Sequence, residues 1–326
     1  MSGDTQSQSR ILTVIERIEE PGDILRVKLA APDGAALPAF TAGAHIDIRL
    51  VDGGTDLWRQ YSLCSDPAGS DHYEIGVLRD PNSRGGSVAL HRLAKLGAAF
   101  TVEGPRNHFP LTEDAGRSIL FGGGIGITPM LAMAQRLHAL GRDFTLHYCT
   151  RRADATAFRA LIAETPWRER VVFHHDDQPA AQRLDLGRDL PAPDGGTHLY
   201  VCGPQGFMDW VIDTAKAAGH APANIHREYF SAQVDSSGDS FEVTASRSGV
   251  TVSVGGDDTI AKALARAGIS IPVKCEEGVC GTCVTDVIDG TPDHRDQFLT
   301  DEERAEGTMI CVCCSRAKSK SLVLDI

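Results

Sequence analysis

In the first third of the chain, short apolar runs alternate with polar residues and are broken by Gly and Pro. Residues 11–18, 24–29, 45–50 and 73–78 place apolar side chains at or near every second position, the period of a strand with one buried face. They predict a small antiparallel β-barrel that reaches to about Leu111. One helical stretch, residues 88–96, interrupts it, with Ser87 as its N-cap and Gly97 after its end. From residue 112 the pattern changes. Apolar strands at 118–121, 145–149, 171–175 and 199–202 alternate with helical stretches, the order of a parallel sheet with crossover helices. Thr128 is expected to cap the first of these helices, with Pro129 at its first position and Gly141 beyond its end. Residues 231–240 have little to bury and predict an interdomain linker. Beyond them, 241–245 and 250–254 alternate as a hairpin. After Asp258 as N-cap, Ile260, Ala263, Leu264 and Ala267 share one helix face that Gly268 closes, and a cysteine-bearing loop follows. The expected organisation is multidomain: an antiparallel β-barrel at 1–111, an α/β parallel-sheet domain at 112–230, a linker at 231–240 and an α+β domain at 241–326.

A length of 326 residues suits two or three such domains. The formal charge of −12 argues against nucleic acid and an anionic membrane surface as partners. The most apolar stretch, residues 119–134, is interrupted by Gly122, Gly123, Gly124 and Gly126 and carries Pro129, which suits a turn into a helix rather than a bilayer span. The first ten residues are polar and lack a signal-peptide apolar region. Nine cysteines, an odd number and mostly in strand-like contexts outside the loop, argue against a disulfide framework and for a reducing cytoplasm.

Cys275, Cys280 and Cys283, answered by Cys313 near the C-terminus, form a Cys-x4-Cys-x2-Cys-x29-Cys array. This spacing suits the four thiolates of a plant-type [2Fe–2S] cluster. Structural zinc usually takes two Cys-x2-Cys pairs, and a Rieske centre needs histidine ligands after Cys-x, a pattern absent from the chain. Cys311 and Cys314 flank Cys313, so counting leaves the fourth ligand open and only the spacing favours Cys313; the two neighbours read as small packing residues.

A one-electron cluster cannot accept a hydride, so a link to nicotinamide needs a flavin between them. Arg59, Tyr61 and Ser62 supply a cation for phosphate, an aromatic face for the isoalloxazine and a hydroxyl for a ring nitrogen. Gly85, Gly86 and Ser87 stand before the predicted helix, where bare N–H groups offer a phosphate seat; the other reading is a plain loop with a serine cap. The turn from Gly122 through Gly123, Gly124 and Gly126 to Thr128 joins strand to helix and offers a pyrophosphate seat. It departs from the Rossmann fingerprint, because Pro129 stands at the third glycine's place.

Arg59-Gln60-Tyr61-Ser62-Leu63, the Gly-Gly-Gly-Ile-Gly-Ile-Thr-Pro turn, Tyr200-Val201-Cys202-Gly203-Pro204 and the Cys-Glu-Glu-Gly-Val-Cys-Gly-Thr-Cys loop occur in one order that resembles the phthalate dioxygenase reductase family, within the ferredoxin–NADP reductase superfamily. The likeness spans essentially the whole chain. It implies a flavin domain, a nucleotide domain and a plant-type ferredoxin (β-grasp) domain. It also implies FMN held by Arg59, Tyr61 and Ser62, with Gly85, Gly86 and Ser87 at its phosphate. Thr128 would face the nicotinamide ribose or pyrophosphate, Cys202 would lie beside the nicotinamide ring, and Phe230, from the His-x-Glu-x-Phe segment, would lie over the flavin. Cys314 departs from the apolar residue that many members carry there.

Two local rules disagree about the nucleotide. Arg151 and Arg152 after the second strand would welcome a 2′-phosphate. In the superfamily, however, the adenosine end is read after the third strand, where Asp176 and Asp177 would repel that phosphate and accept from a ribose diol. The expectation is NADH, with Asp177 as reader. His174 and His175 are adjacent in a strand, point to opposite faces and cannot chelate one ion together, so no oxygen-activating metal is expected; His91 and His108 read as satisfied polar residues near the flavin.

The expected function is a monomeric NADH-dependent reductase that passes electrons through FMN and [2Fe–2S] to a terminal oxygenase. By resemblance that partner is a Rieske-type non-haem iron oxygenase, a ring dioxygenase or an O-demethylase. The alternatives are a reductase for a P450 or diiron hydroxylase, and a redox-sensing iron–sulfur flavoprotein.

Overall fold

The structure, a computed structural model, describes residues 9–81, 83–230 and 235–326. The first block folds as β1 (Arg10–Glu20), β2 (Ile24–Ala30), β3 (Ala44–Asp52), β4 (Thr55–Ser62), β5 (Tyr73–Leu78), helix α1 (Gly86–Leu93) and β6 (Ala99–Asn107). The strands are antiparallel in the order β4-β3-β6-β1-β2-β5. A bridge between Leu63 and Ile75, with Cys64 N–H donating to Glu74 O at 2.8 Å, joins the two outer strands and closes the barrel. Closure removes the exposed edges that an open sheet of this size would carry.

The second block gives β7 (Arg117–Gly123), α2 (Ile127–Ala139), β8 (Phe144–Thr150), α3 (Arg159–Ala163), β9 (Val171–His175), α4 (Leu186–Asp189), β10 (Thr197–Cys202), α5 (Gln205–Ala217) and β11 (Ile225–Glu228). Its sheet is wholly parallel, ordered β11-β10-β7-β8-β9. Helix α2 buries nine of its 13 residues, Thr128 and Pro129 among them, so it is apolar nearly all round. That is the composition of a helix covered on more than one side. One continuous apolar core runs from Leu12 and Leu25 of the barrel through Met130 and Met133 of α2 to Tyr148 and Tyr200 of the sheet. Glu20 of the barrel also accepts from the N–H of Phe158 at 2.9 Å. The two blocks therefore form a single compact unit, residues 1–228, where the sequence pattern had suggested two domains.

The second unit, residues 229–326, contains β12 (Phe241–Ala245), β13 (Val250–Val254), α6 (Ile260–Arg266), β14 (Val284–Asp289), β15 (Pro292–Asp293), α7 (Asp301–Glu306), β16 (Met309–Cys311), β17 (Arg316–Ala317) and β18 (Ser321–Leu324). Its main sheet runs β13-β12-β18-β14-β16, with β12 and β18 parallel across the middle. Of the expected linker, 231–234 lie outside the described residues. Its remaining part has no regular structure, yet it is pinned. Buried Arg316 donates to Ser236 O and Asp239 O at 2.7 and 2.8 Å, and also to Asp258 O and Gly255 O. Residues 236 and 239 of this stretch are thus held within the second unit by a side chain 77 or more residues away.

Three helix starts differ from expectation by one or two residues. Helix α1 opens at Gly86 behind a left-handed Gly85, because the Ser87 hydroxyl is taken by Asp80 N–H at 3.2 Å and Ser83 at 3.0 Å. Helix α2 opens at Ile127, which leaves Thr128 inside the helix with its hydroxyl donating to Ile125 O at 3.1 Å. Thr259 rather than Asp258 caps α6, accepting from Lys262 N–H, while Asp258 pairs with Arg266. In each case a competing partner for the side chain shifts the cap. No helix among the described residues is long and apolar enough to cross a membrane, and none of the nine cysteines is in a disulfide.

Candidate functional site

In the first unit, β4 pairs with β3 so that Ser62 faces His45 and Arg59 faces Ile48 in the ladder. Arg59 lies across the first turn of α1. A Cβ at Gly86 would sit 2.5 Å from its Nε and 2.6 Å from its Cγ, so only glycine admits the stem there. The guanidinium donates to Trp58 O at 2.8 Å and Arg84 O at 3.2 Å. The first turn of α1 carries no acidic residue. A cation beside uncapped helix N–H groups makes an electropositive seat for a terminal phosphate, and the residues fit FMN. Tyr61, half-buried, follows on the same strand, and burial pushes its phenol above the usual range.

Ser62 is buried, and its hydroxyl donates to Glu228 Oε2 at 2.9 Å. Desolvation pushes the Glu228 carboxyl up to about 7, with the Ser62 hydrogen bond opposing it. Cys202 pairs with Glu228 across β10 and β11, and burial, then the nearby carboxylate, raises its thiol well above the ordinary value. The thiol therefore stays protonated at neutral pH and is a poor nucleophile. A Cβ at Gly126 would lie 2.2 Å from Cys202 O, and one at Gly123 2.8 Å from the Phe207 ring. Glycines in this turn therefore let the ends of β7 and β10 close on one another, at the carboxyl edge where open parallel sheets bind ligands. Ser62, Glu228 and Cys202 are brought together from three strands. Glu228 had been overlooked as a site residue; the signal available was the carboxylate at the centre of the His-x-Glu-x-Phe segment.

At the outer end of the sheet, Arg152 pairs with Asp154 at 2.5 Å. Asp177 is exposed, its N–H donating to Arg151 O at 3.1 Å and its Oδ1 accepting from Gln178 at 3.3 Å. Asp154 therefore occupies one of the two arginines that argued for a 2′-phosphate. Phe230 belongs to the second unit and is 38 % exposed. His91 bonds Val77 O at 2.8 Å, and the His108 ring packs at a tilt against His45, centroids 5.3 Å apart.

In the second unit the cysteine loop is closed by glycines with left-handed backbone. Gly278 has φ 69° and no room for a Cβ, which would lie 2.5 Å from Cys314 Sγ; Gly281 has the same φ, and its Cβ would lie 2.2 Å from the Phe298 ring. Buried Asp296 braces the return segment, accepting from Leu299 N–H at 2.8 Å and Ser315 Oγ at 3.2 Å. Cys275, Cys280, Cys283 and Cys313 are all buried. Glu277 N–H donates to Cys275 Sγ at 3.4 Å, and the Cys280 thiol donates to Thr282 Oγ1 at 3.3 Å. Cys275 is pushed down by the Cys280 thiol, the Cys313 thiol and backbone N–H groups; Cys283 is pushed down by Cys311 and Cys313. Sulfur of Cys313 is within hydrogen-bonding reach of Cys275 and Cys283, and of its neighbour Cys314. Cys311 reaches Cys283, and Cys314 Sγ turns to Cys311 O at 3.7 Å and Ser315 Oγ at 3.8 Å. Four converging thiols with N–H donors aimed at sulfur fit a [2Fe–2S] cluster.

Two family models match the chain: a 2Fe-2S iron-sulfur cluster binding domain over residues 243–318 and an oxidoreductase NAD-binding domain over 120–213. A vanillate O-demethylase oxidoreductase of Pseudomonas sp. is 50 % identical over 306 residues, covering 93 % of this chain and 96 % of that protein. Among solved structures, phthalate dioxygenase reductase, described as a modular structure for electron transfer from pyridine nucleotides to [2Fe–2S], matches with TM-score 0.73 and 39 % identity over 98 % of both chains. An intact type IV self-sufficient cytochrome P450 monooxygenase matches with TM-score 0.85 and 38 % identity over 98 % of this chain and 41 % of that one. With the flavin seat, the nucleotide-binding edge and the cysteine loop in one order, the chain belongs to the phthalate dioxygenase reductase family and is an oxidoreductase that draws electrons from NADH through FMN to a [2Fe–2S] cluster.

Proposed function

We propose that the protein is the reductase component of a Rieske-type non-haem iron oxygenase, and specifically of an O-demethylase acting on a methoxylated aromatic acid of the vanillate kind. The nearly full-length likeness to a vanillate O-demethylase oxidoreductase carries this reading. The test combines purified protein, NADH and a candidate oxygenase with vanillate, and follows NADH-dependent release of formaldehyde. Coupled product supports the reading; NADH oxidation without product across demethylases, with product from a ring dioxygenase or a P450, overturns it. The second reading, a P450 reductase, is favoured by the match to the P450 monooxygenase, in which a chain of this kind forms part of a longer protein. The contact with the oxygenase is transient, the protein is a monomer, and nine cysteines without a disulfide suit a reducing cytoplasm.

Residues 1–111 form the FMN-binding part, 112–230 the NAD-binding part and 241–326 the ferredoxin part. Arg59, Tyr61, Ser62, Gly85, Gly86 and Ser87 hold FMN; Gly123, Gly124, Gly126, Thr128 and Cys202 hold the nicotinamide end of NADH. Cys275, Cys280, Cys283 and Cys313 are the cluster ligands. Bound FMN supplies the exchange between a two-electron donor and a one-electron acceptor.

Gly86→Ala tests the phosphate seat. Its Cβ displaces the Arg59 stem, and FMN affinity is expected to fall about tenfold or more in a fluorescence titration of flavin-free protein. Unchanged affinity would remove Arg59 from the seat. For the nucleotide, Asp177→Ser is expected to raise kcat/KM for NADPH by about tenfold with little change for NADH, the effect being held down by exposure and salt screening. If steady-state kinetics show no gain with NADPH, Asp177 is not the reader.

A further inference from the structure

Away from the flavin, nucleotide and cluster sites, a group of side chains in the parallel sheet has the composition of a metal site. His147 of β8 and His174 of β9 are 5 % and 2 % exposed, and Asp189 ends α4 beside them. One ligand atom from each of the three lies within 4.8 Å of the other two. His147 Nδ1 faces His174 Nε2 at 2.9 Å, the rings stack at 5.2 Å, and Phe121 stacks on His147 at 5.0 Å. His174 Nδ1 is buried, with the Arg183 backbone nearby. Neighbouring His175 turns away to Thr150 Oγ1 at 2.8 Å, as strand alternation requires.

We propose that His147, His174 and Asp189 bind a divalent transition ion of the zinc class, fastening the connection between β9 and β10 onto the sheet. Two imidazole nitrogens and a carboxylate oxygen suit Zn²⁺, Co²⁺ or Ni²⁺ and not Mg²⁺ or Ca²⁺, which prefer all-oxygen shells. Two nitrogens sharing an ion at about 2.0–2.1 Å stand ~2.9–3.4 Å apart, so the observed pair needs to open by a few tenths of an ångström at most. Asp189 is held by Arg188 through two contacts of 2.7 Å, and its Oδ2 also accepts from Asp185 N–H at 2.9 Å. These bonds fix the carboxylate and still leave a lone pair on Oδ1 for an ion. The ion enters only if it competes with Arg188 for that carboxylate, and this makes the proposal a measurable one.

The experiment uses holoprotein with FMN and cluster in place, so that the cluster thiols are occupied. After equilibration with Co²⁺ and gel filtration, one Co²⁺ per chain beyond the cluster iron is expected, displaced by Zn²⁺. Retention should be lost in His147→Ala and weakened about tenfold or more in Asp189→Asn. No retained Co²⁺, or equal retention in both variants, overturns the proposal. Should His147→Ala fail to fold, the wild type still decides. Paramagnetic loss of the His147 and His174 ring resonances on adding Co²⁺ supports the site, and unchanged resonances overturn it.

Discussion

Replacing Cys313 by serine is expected to abolish the [2Fe–2S] absorption and the electron paramagnetic resonance signal of the reduced protein, while the flavin remains bound. The reason is geometric. Cys313 stands within reach of both Cys275 and Cys283, whereas Cys311 reaches Cys283 and Cys314 turns back to Cys311 O and Ser315. Serine offers a hard oxygen where the iron–sulfur core prefers a soft thiolate. Reduction of cytochrome c by NADH should be lost with the cluster, and reduction of the flavin by NADH should persist. Cys311→Ser and Cys314→Ser are expected to keep the cluster. Loss of the cluster in either of those, with retention in Cys313→Ser, would reassign the fourth ligand.

The second large effect is expected at the pair of Ser62 and Glu228. Ser62 donates to Glu228 in the structure, so the location of one proton decides whether the hydroxyl remains committed to the carboxylate or turns to a ring nitrogen. Ser62→Ala should slow flavin reduction by NADH on the order of 10²-fold in anaerobic stopped-flow, with FMN still bound. Glu228 gives the same pair a pH signature. Its folded value, about 7, is raised above the usual 4.5. The stability it contributes is therefore fully present below pH ~4.5 and is lost as pH rises through about 7, by on the order of 3 kcal/mol. Glu228→Gln keeps the hydrogen bond but not the titration, so it should flatten that part of the profile and gain on the wild type above neutrality. Denaturant unfolding at about pH 5 and about pH 8 measures this; parallel profiles for the two proteins would place the Glu228 carboxyl at an ordinary value.

Much of the scaffold is legible in the sequence because it is written locally. Alternation in residues 45–50 and 73–78 and the apolar strands at 171–175 and 199–202 correspond to β3, β5, β9 and β10, and the helical spacing of Ile260, Ala263 and Leu264 to α6. Helix starts were less legible. Ser87, Thr128 and Asp258 all look like caps in isolation, yet their side chains hold Asp80, Ile125 O and Arg266, partners that neighbouring loops and turns supply.

By itself the sequence determined which chemistry is present: thiolates at plant-type spacing, a flavin-type Arg-x-Tyr-Ser strand, a glycine turn at a strand end, and the order in which they occur. Periodicity and spacing act over a few residues, so they survive without a fold. Only the tertiary structure decided how the parts meet. It sets Glu228 against Ser62 from 166 residues away, merges barrel and parallel sheet around one core, brings Cys313 to both Cys275 and Cys283, and turns His174, not His175, toward His147. Each of those depends on which distant side chains share a buried space, and burial is a property of the packed chain, not of any short stretch of it.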